Sequence, residues 1–177
     1  MLIISLKELP HDAQHEYAHR LLRECLRLCG IDYGENTRIT LGEHGKPSLA
    51  DYPDIHYNVT HADGITACLV SSRECGIDAE KVRPYRPNVI KRAFSENEKA
   101  LIENAPEAER DLLFFRLWTL KESYVKALGI GVSYPMNTAE FSFDGDEIVS
   151  NIDGYSFKQY VIDGQFAIAV CKKIKIS

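Results

Sequence analysis

Four Asp-Gly pairs, at residues 63–64, 144–145, 153–154 and 163–164, do most to narrow what this 177-residue chain can fold into. Asp-Gly takes up the left-handed backbone of a tight hairpin at little cost, so such a pair between alternating apolar residues predicts two antiparallel strands. Ile55–Thr60 and Ile65–Ser71 flank the first pair, and Phe141–Phe143, Ser156–Ile162 and Gln165–Lys172 surround the other three. Met1–Leu6 reads as an opening strand. It lacks the basic start of a signal peptide and soon reaches Lys7, Glu8 and Pro10.

Between the strand signals the apolar period changes to three and four. Ala13, Tyr17, Leu21, Cys25 and Leu28 predict a helix from Pro10 to Cys29, with Gly30 as its stop. Leu113, Leu117, Leu120, Tyr124 and Leu128 form the apolar stripe of the longest helix, over 106–128, ending at Gly129 and Gly131. Shorter helices are expected at 89–94 and 96–104, the second opened by a Ser95/Glu98 capping box. Residues 31–53, with three glycines and two prolines, read as loop. The fold class is therefore α+β: one domain over 1–177, with an N-terminal half about 1–80 and a C-terminal half about 81–177, each combining helix with antiparallel sheet.

Composition closes other routes. No run of about 18 apolar residues exists, so no transmembrane helix is expected. The net charge of −5 argues against general nucleic-acid binding. Five cysteines, odd in number and without a Cys-x-x-Cys pair, sit among apolar residues; a reducing cytoplasm is expected. Gly-x-Ser-x-Gly, P-loop and Gly-x-Gly-x-x-Gly patterns are missing, which disfavours covalent serine catalysis and a Rossmann cofactor.

The chemistry concentrates at Gly76-Ile-Asp78-Ala-Glu80-Lys81 and at Trp118-Thr-Leu-Lys-Glu122-Ser-Tyr-Val-Lys126. Positions two apart on a strand share a face, so Asp78 and Glu80 would stand side by side with Ala79 turned away. Glu122, on the long helix, is expected to bring a third carboxylate, and three oxygen ligands with room for water suit Mg²⁺. Taken alone, Glu122 and Lys126 would be an i,i+4 surface pair worth about 0.3–0.5 kcal/mol. Lys46 in the Gly45-Lys-Pro47 turn, and Thr60 and His61 at a strand end, could hold phosphate. Arg20, Arg23 and Arg27 form a basic stripe on the first helix. His11, His15 and His19 repeat every four residues there, with no acidic or cysteine ligand to complete a soft-metal site.

These motifs, together with Asn58-Val-Thr-His61, Phe94-Ser-x-x-Glu98 and Phe166-Ala-Ile-Ala-Val-Cys171, resemble the 4′-phosphopantetheinyl transferases of the surfactin-synthetase-activating (Sfp) type, in the family's order and over most of the chain. Thr60-His61-Ala62 stands where the family usually has Ser-His-Ser, and the chain is shorter before Arg20 than many members. The resemblance implies two similar halves in a pseudo-twofold arrangement. It also implies Mg²⁺-dependent transfer of the phosphopantetheine arm of coenzyme A to a serine of an acyl or peptidyl carrier protein. Asp78, Glu80 and Glu122 would hold the metal, Glu122 and Lys126 would act in catalysis, and Lys46, Thr60, His61 and Arg20 would bind coenzyme A. Lys81, Arg83, Arg86, Lys91 and Arg92 would dock an acidic carrier, and the protein is expected to be a monomer. Two alternatives stay open: a metal-dependent nucleotide pyrophosphohydrolase, and a non-catalytic coenzyme-A or carrier-binding module.

Overall fold

A computed structural model describes residues 1–175. The first half runs β1 (Leu2–Leu6), α1 (His11–Leu28), β2 (Ile39–Leu41), β3 (Pro47–Leu49), β4 (His56–Ala62) and β5 (Ile65–Ser71). The second runs β6 (Cys75–Lys81), α2 (Pro87–Ala93), α3 (Glu96–Asn104), α4 (Glu107–Leu128), β7 (Phe141–Asp144), β8 (Glu147–Ser150), β9 (Tyr155–Ile162) and β10 (Phe166–Lys173). Each half builds a three-stranded antiparallel sheet in which its first strand pairs with its last: β1-β5-β4 and β6-β10-β9. Each also inserts a small hairpin between its long helix and its final two strands, β2-β3 and β7-β8. The expected duplication is thus present in topology, although the two sequences show no clear repeat. Because β6 pairs with β10, sheet pairing divides the halves just before Cys75 and assigns Asp78 and Glu80 to the second.

Strand alternation sorts the layers. Cys68 and Val70 of β5, with Tyr57 of β4, face Leu22, Cys25 and Leu26 of α1. Ile65, Ala67 and Leu69 point the other way, into a shared core with Cys75, Ile77 and Ala79 of β6 and Ile168 and Val170 of β10. Ala167 and Ala169 of β10 face α4, with Leu117 and Leu120. The two sheets meet through their inner faces, and a long helix covers each outer face. Among the described residues no helix is long and apolar enough to cross a membrane.

Three of the Asp-Gly pairs make the expected hairpins, at β4-β5, β7-β8 and β9-β10, with Gly64, Gly145 and Gly164 at φ of 81°, 60° and 67°. The fourth does not. Asp153-Gly154 joins β8 to β9, which lie in different sheets. The strand β8 and the hairpin β2-β3 escaped the sequence reading; Ile39–Leu41 is exposed throughout, so burial imposes no alternation there. The long helix also differs from its expected single stripe. Phe114, Phe115, Thr119, Lys121, Ser123, Val125 and Ala127 are buried as well, because α4 is enclosed on several sides at once. It ends as expected at Gly129, which takes φ 72° and donates its N–H to the Val125 carbonyl (2.9 Å).

Candidate active site at the junction of the two halves

Gly76 determines how close α4 comes to β6. A Cβ there would fall 2.0 Å from the Ser123 carbonyl oxygen and 2.4 Å from the Ala127 nitrogen, so the helix rests on bare strand backbone. Alternation from Gly76 then aims Asp78 and Glu80 along the same face, beside Glu122 and Lys126. The edge strand β4 closes the other side. The Asn58 amide oxygen accepts from the Ile77 N–H (2.8 Å), which ties the first half to β6.

Asp78 is the hub. Its side chain is 7% exposed, and one oxygen accepts from the Lys126 ammonium at 2.6 Å and from the Thr60 hydroxyl at 3.3 Å. The Lys126 ammonium also lies 3.3 Å from the Thr60 hydroxyl. The other Asp78 oxygen is buried without a partner among the described residues. Lys126 therefore reaches across to the strand, and the i,i+4 pairing with Glu122 is not the contact it makes.

Glu80 and Glu122 flank this pair. Burial holds the Glu122 carboxyl above its ordinary range, the Asp78 and Glu80 charges push it the same way, and Lys126 opposes them. Burial likewise raises Glu80, against a hydrogen bond from Arg83 (2.9 Å) and with the Asp78 charge. Three carboxyl groups thus feel one another. No three His, Cys, Asp or Glu side chains among the described residues are already drawn to ligand distance, and Lys126 holds the position beside Asp78. The donor set still fits a hard divalent cation: the unpartnered buried Asp78 oxygen and two carboxyls disfavoured as anions would all gain from one.

Glu122 and Lys126 open onto a cleft of about 490 Å³, shared with Lys46, Asn58, Trp118 and Met136. Trp118 stacks on Phe114 (centroids 6.2 Å apart, rings 6° from parallel), which fixes the indole at the cleft wall. Trp118 and Met136 also border a larger groove of about 880 Å³, whose rim carries Arg86, Lys91 and Arg92. Glu80, Arg83 and Arg86 line a smaller pocket that also reaches Trp118. The basic segment expected beyond β6 therefore runs beside the cleft.

The remaining predicted residues fall in different places. Lys46 lines the cleft, but its ammonium is donated to the Ala127 carbonyl (2.6 Å) and the Cys75 carbonyl (3.1 Å), and its stem packs over Gly129. Its charge serves the C-terminal end of α4, where unpaired carbonyls favour a cation. His61 is exposed as a residue at the end of β4, but its ring is partly desolvated; that desolvation, then the neighbouring His15, Lys126 and His11, holds its imidazole below the ordinary value. Arg20 lies over the Tyr17 ring (6.0 Å), and no hydrogen bond ties it to the cleft among the described residues.

One pair went unread. Lys121 and Glu98 form a fully buried ion pair at 2.7 Å. Glu98 closes the predicted capping box with Ser95 and also accepts from the Phe141 N–H (3.0 Å). Lys121 also donates to the Met136 carbonyl (2.9 Å) and the Ala139 carbonyl, which pins the segment carrying Met136 into the cleft wall. The signal available was the Lys-Glu doublet on an apolar helix: one of its two charges had to turn inward.

An antiparallel duplicated fold with acidic and basic side chains gathered at the seam defines the class, and comparison places the chain in it. Residues 74–171 match the family model of the 4′-phosphopantetheinyl transferase superfamily, and the chain belongs to that superfamily. It is 33% identical over 139 residues to the 4′-phosphopantetheinyl transferase Sfp of Bacillus subtilis, covering 76% of this chain and 62% of that one. It is 36% identical over 104 residues to the 4′-phosphopantetheinyl transferase gsp of Aneurinibacillus migulanus, covering 59% and 43%. The chain thus spans less than two thirds of the length of these relatives. Among solved structures it is similar to the holo-[acyl-carrier-protein] synthase of Thermotoga maritima (TM-score 0.49, 23% identity, covering 58% of this chain and 64% of that one).

Proposed function

We propose that the chain transfers the 4′-phosphopantetheine arm of coenzyme A to a serine hydroxyl of an acyl or peptidyl carrier protein, releasing adenosine 3′,5′-bisphosphate. The observation that carries this reading is the Asp78 hub. A buried carboxylate with one oxygen on Lys126 and Thr60 and the other unpartnered sits between two raised glutamates, in a chain of this superfamily. Asp78, Glu80 and Glu122 would hold Mg²⁺, which when bound offsets the charge that grows on the leaving pyrophosphate oxygen.

The chain's own residues supply the rest. Lys126, beside the hub, donates to the phosphate under attack. Glu122 takes the serine proton, directly or through an intervening water, the water route being chemically easier for a carboxylate that also holds the metal. His61 and Arg20 supply donors for the phosphates of coenzyme A, and Thr60 joins them by turning its hydroxyl hydrogen away from Asp78. Lys46 shapes the cleft rim, its ammonium being held by two carbonyls. The groove rimmed by Arg86, Lys91 and Arg92 steers an acidic carrier toward Trp118 and the cleft. Both halves of one chain build the site, which supports a monomer. The five cysteines are all free thiols, which supports a reducing cytoplasm.

Intact-protein mass spectrometry of an apo carrier protein incubated with this chain, coenzyme A and Mg²⁺ tests the proposal. A gain equal to the mass of the arm, abolished by omitting the metal, is expected. Cleavage of coenzyme A without carrier labelling would overturn it in favour of a pyrophosphohydrolase. Coenzyme A binding without either product would leave a binding module.

A further inference from the structure

On α1 the sequence His15-Glu16-Tyr17-Ala18-His19 places two imidazoles four residues apart, on one helix face. This is the His-Glu-x-x-His spacing with which a helix presents two nitrogen ligands to one cation. The helix alone offers no third ligand. The fold supplies it: α1 packs against β4, and His61 at the end of that strand lies beside the His15 ring. The ring centres of His15 and His19 lie 4.5 Å apart at 64°, and those of His15 and His61 lie 6.4 Å apart at 88°.

We propose that His15, His19 and His61 bind one divalent transition cation of the zinc type. Nitrogen ligands about 2.0–2.1 Å from a shared ion put two imidazole ring centres roughly 5 Å apart. The observed separations bracket that distance, one slightly short and one long. The three side chains are not at ligand distance in their present rotamers. All three are exposed, so their χ1 and χ2 rotamers are free to change when an ion binds. His11, one turn earlier, is close enough to be felt by His61 and offers a fourth nitrogen. Lys126, the other cation that His61 feels, is paired with Asp78 at 2.6 Å, which lessens its repulsion of an incoming ion. The claim is of binding alone. It concerns the chain free of coenzyme A, since His61 is also a proposed donor to the coenzyme A phosphates, and it is separate from the carboxylate set at Asp78.

The test is a competition titration of Zn²⁺ between tag-free protein and a chromophoric chelator at pH 7.5. One equivalent should bind with micromolar or tighter affinity. His15→Ala, His19→Ala and His61→Ala should each weaken it by at least about tenfold, three nitrogen ligands being the minimum for such a site. His44→Ala and Cys29→Ser, which alter another imidazole and the exposed thiol, should leave it unchanged. Far-UV circular dichroism of each variant should match the parent, since the changes are on the surface. Millimolar binding in the parent, affinity undiminished in any one of the three His variants, or loss in Cys29→Ser would each overturn the proposal.

Discussion

Lys121 and Lys126 lie five residues apart on α4 and meet opposite fates. Lys126 stays partly exposed and reaches Asp78, whereas Lys121 is sealed against Glu98 with no exposure at all. A buried pair contributes little over an apolar pair of the same shape, but breaking it leaves a charge stranded. Lys121→Ala should therefore lower unfolding free energy by about 3–5 kcal/mol, and the double variant Lys121→Met/Glu98→Gln should recover most of it in urea denaturation. At the hub the expectation is reversed. Glu122→Gln or Asp78→Ala should leave the circular dichroism spectrum intact and lower carrier labelling by at least about 100-fold, removing a transition-state contact rather than a core contact. Unchanged labelling would sink the proposed roles. A third residue gives a pH signature. Burial, then the Lys46 charge, holds His56 below its ordinary value of 6.5, against the pull of Glu74. Between that lowered value and 6.5 the unfolded chain binds a proton that the folded chain refuses, so stability should fall on acidification through this window. His56→Gln should flatten that part of the stability profile.

Elements meet here through backbone as much as through side chains. The contact between β6 and α4 exists because Gly76 has no Cβ. Gly76→Ala would set a methyl group 2.0 Å from the Ser123 carbonyl oxygen, a clash with backbone that no side-chain rotation relieves. A loss of about 3 kcal/mol or more in chemical denaturation is expected, together with lost labelling, because the helix that carries Glu122 and Lys126 must lift away. The α3 start is a milder case. Ser95→Ala removes the cap on the Glu98 N–H and should cost about 1 kcal/mol. These interfaces also show what was legible. The Ser95/Glu98 box, the Gly129 stop and three of the four Asp-Gly hairpins follow from local chemistry. Asp153-Gly154 carries the same dipeptide, yet it links two sheets, because pairing partners are chosen by burial far from the turn.

For the molecule as a whole, the seam between the halves is both a packing interface and the candidate site. A ligand that binds there stabilises only the assembled chain, in proportion to the logarithm of its concentration over its dissociation constant. Mg²⁺ should therefore raise the thermal midpoint of the parent and leave that of Asp78→Asn nearly unmoved. Stripping divalent ions with EDTA should abolish carrier labelling, and added Mg²⁺ should restore it.

The sequence by itself determined the two long helices, the main strands and the faces of those strands, but not β8 or the β2-β3 hairpin. Period-two alternation was enough to set Asp78 and Glu80 together with Ala79 turned away, and period 3.6 was enough to place both long helices but not their faces: α1 buries Gln14, Ala18, Leu22, Cys25 and Leu26, and of the expected stripe Ala13, Tyr17, Leu21, Cys25 and Leu28 only Cys25 is fully buried. Those patterns arise from bonds within a few residues. The tertiary structure decided partners. It sent Lys126 to Asp78 instead of Glu122, placed the Lys46 ammonium on two carbonyls, paired Lys121 with Glu98, and brought His61 up to His15. None of these follows from spacing along the chain. Each depends on which strand lies next to which, and on how closely a glycine lets a helix approach.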